Sequence, residues 1–229
     1  MSDLDHFQDR IGVRWRDSST LVEALTHSSY VNEHPGARSN ERLEFLGDAA
    51  LGLMLAQRMF ADYPDLDEGD LTRRRSLLVR GSTLAGVARR IGLGEVLILG
   101  RGEVGSGGRD KSTNLAGALE ALVAAVLLDR GWEEANAFAL RILAVDIEKL
   151  RCDMDTDYKS RFQSEAQSRY HSTPSYRIID EGGASHDRRF TAEVLVDGRV
   201  VGMGDGRSKK LAEAGAARLA LEALGIFTD

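Results

Sequence analysis

From residue 18 to about residue 150 the apolar positions recur at three- and four-residue spacing, as in Leu21 and Leu25 and then Leu43, Leu46, Ala50, Leu53 and Met54. That spacing lines one face of an α-helix, whereas a half-buried strand alternates every second residue. The stretch is therefore predicted to be mostly helical. His34-Pro35-Gly36, Pro64 and the glycine-rich run 100–108 interrupt the pattern. Helix interiors tolerate such residues poorly, so these breaks separate four or five helices. Residues 151–157 are polar and acidic, and the rhythm changes after them, which places a linker there.

Beyond the linker a helical stretch, 159–170, is stopped by Thr173-Pro174. Residues 176–180, 188–196 and 200–204 carry β-favouring or alternating side chains, with Gly182-Gly183 and Asp197-Gly198 as turns between them. A last helix is expected over 208–224, where Ala212, Ala216, Ala220 and Leu224 fall on one face and join Phe190, Val194 and Val196 in a core. The resulting organisation is an all-α domain over 1–150 and a small α+β module, in the order α-β-β-β-α, over 157–226. Its sheet needs a helix layer to bury one face.

Charge refines this division. The net charge of −6 argues against a nucleic-acid partner if taken over the whole chain, but from Asp157 onward there are 11 basic and 11 acidic residues out of 30 and 36 in all. The entire acidic surplus lies upstream. The single cysteine, Cys152, can form no internal disulfide, which fits a reducing compartment. Residues 1–10 contain no apolar run, so neither a secretory signal nor a membrane span is expected there, and the cytoplasm is the expected location. Trp15 and Trp132 read as packing residues.

Part of the acidic surplus is concentrated. In Asn40-Glu41-Arg42-Leu43-Glu44-Phe45-Leu46-Gly47-Asp48, the helical turn places Glu44 about 60° and Asp48 about 20° from Glu41, so all three acids share one side. Like charges this close destabilise a bare helix by a few tenths of a kcal/mol per pair. A solvated acidic face is the competing reading. Against it stand the apolar neighbours Phe45 and Leu46, and Gly47, which costs about 1 kcal/mol in a helix relative to alanine unless something approaches closely. Glu120 lies in Leu115-Ala116-Gly117-Ala118-Leu119-Glu120-Ala121-Leu122-Val123, which is otherwise apolar or small. A buried carboxylate must be paired with a cation, protonated or bound to a metal. Brought against Glu41, Glu44 and Asp48, it would complete an all-oxygen site suited to Mg²⁺.

The segment 40–48 resembles the signature of the ribonuclease III family. Leu25-Thr26-His27-Ser28-Ser29-Tyr30, Asp67-Glu68-Gly69-Asp70-Leu71 and Gly102-Glu103 through Ser106-Gly107-Gly108 are similar to further family motifs in the same order. The resemblance implies an all-helical nuclease domain that forms a homodimer through the signature helix, making a valley for duplex RNA with one active site per subunit. It implies that Glu44, Asp48 and Glu120 hold Mg²⁺, with Mn²⁺ able to substitute, that Asp48 and Glu120 are catalytic, and that Glu41 supports the site or a second ion. Hydrolysis would leave 5′-phosphate and 3′-hydroxyl ends. Gly117 departs from the family, which places an Asp there, and glycine offers no ligand.

The C-terminal segment resembles a double-stranded RNA-binding domain. Lys159-Ser160-Arg161-Phe162-Gln163, Gly183-Ala184-Ser185-His186-Asp187 and Gly204-Asp205-Gly206-Arg207-Ser208-Lys209-Lys210 carry the resemblance. Lys209 and Lys210 at a helix start add charge to exposed N–H groups, a phosphate site. The resemblance implies that Gln163 and His186 reach successive minor grooves, and that Lys159 and Ser208 belong to the same RNA-binding set. Ser164 stands where the family often has Glu. The implied role is processing of ribosomal and other structured RNA. The alternative is a duplex-RNA binder whose catalytic half has decayed at Gly117. A small-nucleotide phosphohydrolase would need His-Asp ligand spacing that the five histidines do not show.

Overall fold

The computed structural model describes residues 3–64, 66–182 and 188–224, the side chains of 152–157 excepted. The chain divides into two compact units, Met1–Ile147 and Glu148–Asp229. The first contains α1 (Asp3–Ile11), α2 (Ser18–Leu25), α3 (Ser28–Glu33), α4 (Glu41–Asp62), α5 (Glu68–Val79), α6 (Gly81–Arg90), α7 (Leu93–Val96), α8 (Arg101–Gly105), α9 (Ser112–Arg130) and α10 (Trp132–Ile142), with the start of α11 (Ala144–Tyr170). This exceeds the expected four or five helices. The additions include α3, α7 and α8, which are 6, 4 and 5 residues long. Segments of a turn or so are too short to show a periodic stripe.

The centre of the first unit is α9. Residues 114–119 and 121–126 are all buried, because α2, α4, α6 and α10 pack around the helix. Its 19 residues are long and apolar enough to cross a membrane, yet 67% of its apolar window is buried within the protein. A helix apolar on every side is accounted for by such a central position. On α4, Leu43, Ala50, Met54 and Met59 face the core, while Leu53, part of the periodic stripe, is 52% exposed.

The expected linker at 151–157 is instead helical, since α11 runs unbroken over 27 residues. No glycine or proline interrupts it, and its Lys, Arg, Glu and Gln residues are good helix formers. The second unit continues with β1 (Ser175–Gly182), β2 (Arg189–Val196), β3 (Arg199–Gly206) and α12 (Lys209–Ala223). The sheet is antiparallel in the order β1-β2-β3. Asp197 and Gly198, at φ 50° and 76°, turn β2 into β3, both in the left-handed region that a two-residue hairpin turn requires. Gly183 lies outside the described residues. Phe190, Val194, Val196, Ala212, Ala216 and Ala220 form the core as expected, joined by Phe162, while Leu224 is only partly buried against it. Gly202, Gly204 and Gly206 present β3 to α12 without side chains: a Cβ on Gly202 would stand 2.5 Å from the Ala216 carbonyl oxygen, and one on Gly204 or Gly206 would collide with α12 backbone.

Candidate active site and RNA-binding residues

The two halves of the acidic pattern meet where α4 crosses α9. A Cβ on Gly47 would overlap the Glu120 carbonyl group, and one on Gly117 would stand 2.6 and 2.9 Å from the Glu44 carboxylate oxygens. Each glycine lies three residues from an acid on its own helix, Gly47 from Glu44 and Gly117 from Glu120. The close approach anticipated at Gly47 is thus the Glu120 backbone. The space beside Gly117 is filled by the Glu44 carboxylate from the neighbouring helix.

This packing desolvates two of the acids. Burial raises the Glu120 carboxyl to about 7, with the Asp48 and Glu44 charges adding to the effect. Burial also raises Glu44, helped by Glu41 and Asp48 and opposed by His27. Asp48 and Glu41 are exposed, and Glu41 accepts a hydrogen bond from Ser39 Oγ at 2.7 Å. Among the described residues none of the four acids has an ion-pair partner. Of the three options for Glu120, pairing with a cation is therefore eliminated. Unpaired carboxylate oxygens are the donor set that a hard divalent cation takes, so the residues fit such an ion in kind. As they stand, no three His, Cys, Asp or Glu side chains among the described residues converge on one ligating point.

Other residues of the quoted motifs order the segments around this crossing. Asn40 is 3% exposed; its backbone N–H donates to the Thr26 carbonyl at 2.8 Å and its Nδ2 to the Ala24 carbonyl at 3.3 Å, tying the start of α4 to the end of α2. His27 N–H donates to the Ile98 carbonyl at 3.0 Å. Its Nδ1 accepts from the Ser29 N–H at 3.2 Å, capping α3. Glu103 Oε1 accepts from Asn114 Nδ2 at 2.8 Å, and Asn114 also donates to the Gly108 carbonyl at 3.0 Å, which clamps the glycine-rich loop to the first turns of α9. That bond, before any charge, holds the Glu103 carboxyl below its usual range. Asp67 caps α5 by accepting from the Asp70 N–H at 2.7 Å. The ties from Asn40 to Ala24 and Thr26 and from His27 to Ile98 escaped the sequence reading because each joins separate elements.

One face of α4 beside the acids is apolar and uncovered: Phe45 is 81%, Leu53 52% and Phe60 75% exposed. Next to Phe45 lies a cavity of about 750 Å³ lined by Thr20, Glu23, Arg42, Leu46 and Leu128 among others. Leu128 is itself 61% exposed.

In the second unit the expected RNA-binding residues separate by role. Gln163 is exposed and lines an open groove with Ser160, Ser164, Gln167 and Ser168. Lys210 is exposed and without an ion-pair partner among the described residues, while Lys209 lies 3.6 Å from Glu181. Ser208 uses its hydroxyl to cap α12, accepting from the Leu211 N–H at 3.2 Å. Lys159 pairs with Glu213 at 2.7 Å and lies 4.3 Å from the centre of the Tyr176 ring, joining α11 to α12 and β1. A lysine surrounded by a carboxylate and an aromatic face is held inside its own module. His186 lies outside the described residues.

A helical unit with unpaired carboxylates at a helix crossing is thus followed in the chain by an α-β-β-β-α module with a basic helix start, and the family matches give this architecture its class, a nuclease domain with an RNA-binding module. Residues 17–147 match the Ribonuclease-III-like family, and residues 158–224 match the double-stranded RNA binding motif. The chain is 48% identical to Ribonuclease 3 of Dehalococcoides mccartyi over 97% of this chain and 95% of that one. It is 44% identical to Ribonuclease 3 of Streptococcus gordonii over 93% of each. The nuclease domain of ribonuclease III from Campylobacter jejuni superposes with a TM-score of 0.58 at 35% identity, covering 65% of this chain and 96% of that one. The chain belongs to the ribonuclease III family and is an endoribonuclease directed at double-stranded RNA.

Proposed function

We propose that the protein hydrolyses phosphodiester bonds in double-stranded RNA with Mg²⁺, for which Mn²⁺ substitutes, leaving 5′-phosphate and 3′-hydroxyl ends during processing of ribosomal and other structured RNA in the cytoplasm. The observation that carries the reading is the cluster Glu41, Glu44, Asp48 and Glu120, four carboxylates without a cationic partner in a chain that also carries a duplex-RNA-binding motif. Glu44, Asp48 and Glu120 would hold the ion, and Glu41 would support them from the exposed start of α4. When bound, the ion neutralises charge on a phosphoryl oxygen and lowers the pKa of attacking water. Asp48 is exposed to an incoming phosphate, while Glu120, whose carboxyl burial raises to about 7 in the absence of an ion, would be held as the carboxylate once the cation is bound. Gln163, His186, Lys209 and Lys210 would follow the A-form backbone by shape and charge.

We also infer a homodimer through α4. A knob such as Phe45 beside a cavity on the same surface is self-complementary under a two-fold axis. The Campylobacter jejuni nuclease domain has a region involved in dimer formation.

The test is cleavage of long duplex RNA with Mg²⁺, beside single-stranded RNA, duplex DNA and the Glu120→Gln variant. Cutting of duplex RNA alone, abolished by the substitution and by chelator, supports the proposal. Binding without cutting, in Mg²⁺ and in Mn²⁺ alike, overturns it in favour of the decayed-nuclease alternative.

A further inference from the structure

At this helix crossing Gly47 admits backbone. At Gly117 the visitor is a carboxylate: all three atoms of the Glu44 terminus lie within 2.9 Å of where a Cβ would be. Even alanine at this position would require Glu44 to move. Positions 117 and 120 lie about 60° apart on one helix, so a group seated on the first is a neighbour of the side chain on the second. We propose that Gly117 is a positioning residue of the ion site, a seat that places the Glu44 carboxylate beside Glu120 as though it projected from α9 itself. The glycine is then part of how this chain holds its ion, and the expected vacancy at 117 is already occupied. This rests on the ion-binding reading above.

The inference reverses the simple expectation for Gly117→Asp. If the position were empty, a new carboxylate would add to the set. If it is a seat, the new side chain evicts Glu44 and one ligand replaces another.

Two measurements on the full-length chain decide it. In chelator, thermal unfolding of the parent, Gly117→Ala, Glu44→Ala and the double variant tests the contact without any ion. Replacing a helical glycine by alanine normally stabilises. The seat predicts no gain, or a fall in Tm, for Gly117→Ala in the parent, and a rise of about 2–4 °C for the same change in the Glu44→Ala background. Equal shifts in both backgrounds overturn the proposal. Mn²⁺ titration followed by the paramagnetic resonance of the free ion tests the consequence. Gly117→Ala should weaken binding at least about tenfold, and Glu44→Gln should cost less in a Gly117→Asp background than in the parent. Unchanged affinity in Gly117→Ala, or an undiminished cost of Glu44→Gln in Gly117→Asp, overturns the seat while leaving the proposed function intact. A parent that takes up no Mn²⁺ overturns both, and the chelator experiment then shows whether the Glu44 contact alone survives.

Discussion

The Glu120 carbonyl group occupies the space in which a side chain on Gly47 would begin. Neither atom group can retreat, because both are backbone of long helices. Gly47→Ala should therefore pry α4 from α9 at a cost of about 1–3 kcal/mol, the usual range for an overpacked core. The expected outcome is a lower denaturation midpoint together with lost cleavage, measured by chemical unfolding and duplex-RNA cutting. A stable, active alanine variant would show that the crossing is looser than described.

Glu120 gives stability an unusual pH dependence. Its folded-state carboxyl is raised to about 7, against roughly 4.3 in an unfolded chain. Between these values the folded state holds the proton more tightly, so metal-free stability is greatest below about pH 4.5 on this account and falls as pH rises through 7. Glu120→Gln removes that loss. Because the group is partly solvated, a gain on the order of 1–2 kcal/mol is expected at pH 8 and none at pH 4, while cleavage drops by at least about 100-fold. Calorimetry at the two pH values checks this; a gain independent of pH would contradict it.

Phe45→Glu should convert a dimer to monomer. A large aromatic side chain 81% exposed beside a cavity has the character of an interface anchor, whose loss costs about 2 kcal/mol or more. Sedimentation equilibrium at micromolar protein reads the outcome. If the parent is dimeric and the variant associates equally well, the interface lies elsewhere.

Two lysines of the RNA-binding module should respond in opposite ways. Lys210→Ala should weaken duplex binding and reduce the slope of log affinity against log salt by about one, as the loss of a phosphate contact does. Lys159→Ala breaks the Glu213 pair and the Tyr176 contact. It should lower the unfolding midpoint of the module and leave the salt slope unchanged. Salt-dependent binding curves and thermal scans of both variants separate the roles.

Much of this arrangement is legible in the sequence because its signals are local. The spacing of Glu41, Glu44 and Asp48 places them on one side of α4, and the apolar run around Glu120 marks a buried helix with an exceptional residue. The Asp197-Gly198 turn and the alternation in β2 announce a hairpin. What was not legible depends on distance in the chain. Nothing near Gly117 indicates that Glu44 lies over it, and nothing near Glu103 points to Asn114. Nothing near Lys159 points to Glu213, which lies beyond the three strands in the sequence. The polar stretch 151–157 looked like a linker because low hydrophobicity was taken for lack of structure, whereas its residues sustain a helix.

The glycines of β3 have a consequence for how a duplex is measured. Where Gly202, Gly204 and Gly206 meet α12, β3 contributes no side chain, and the strand backbone lies directly against the main chain and first side-chain carbons of the helix. Lys209 and Lys210, at the start of that helix, are therefore held at a fixed height above the strands. In the proposed RNA-binding role, the spacing of these two lysines from the strands is set by main chain, the least adjustable material a protein has.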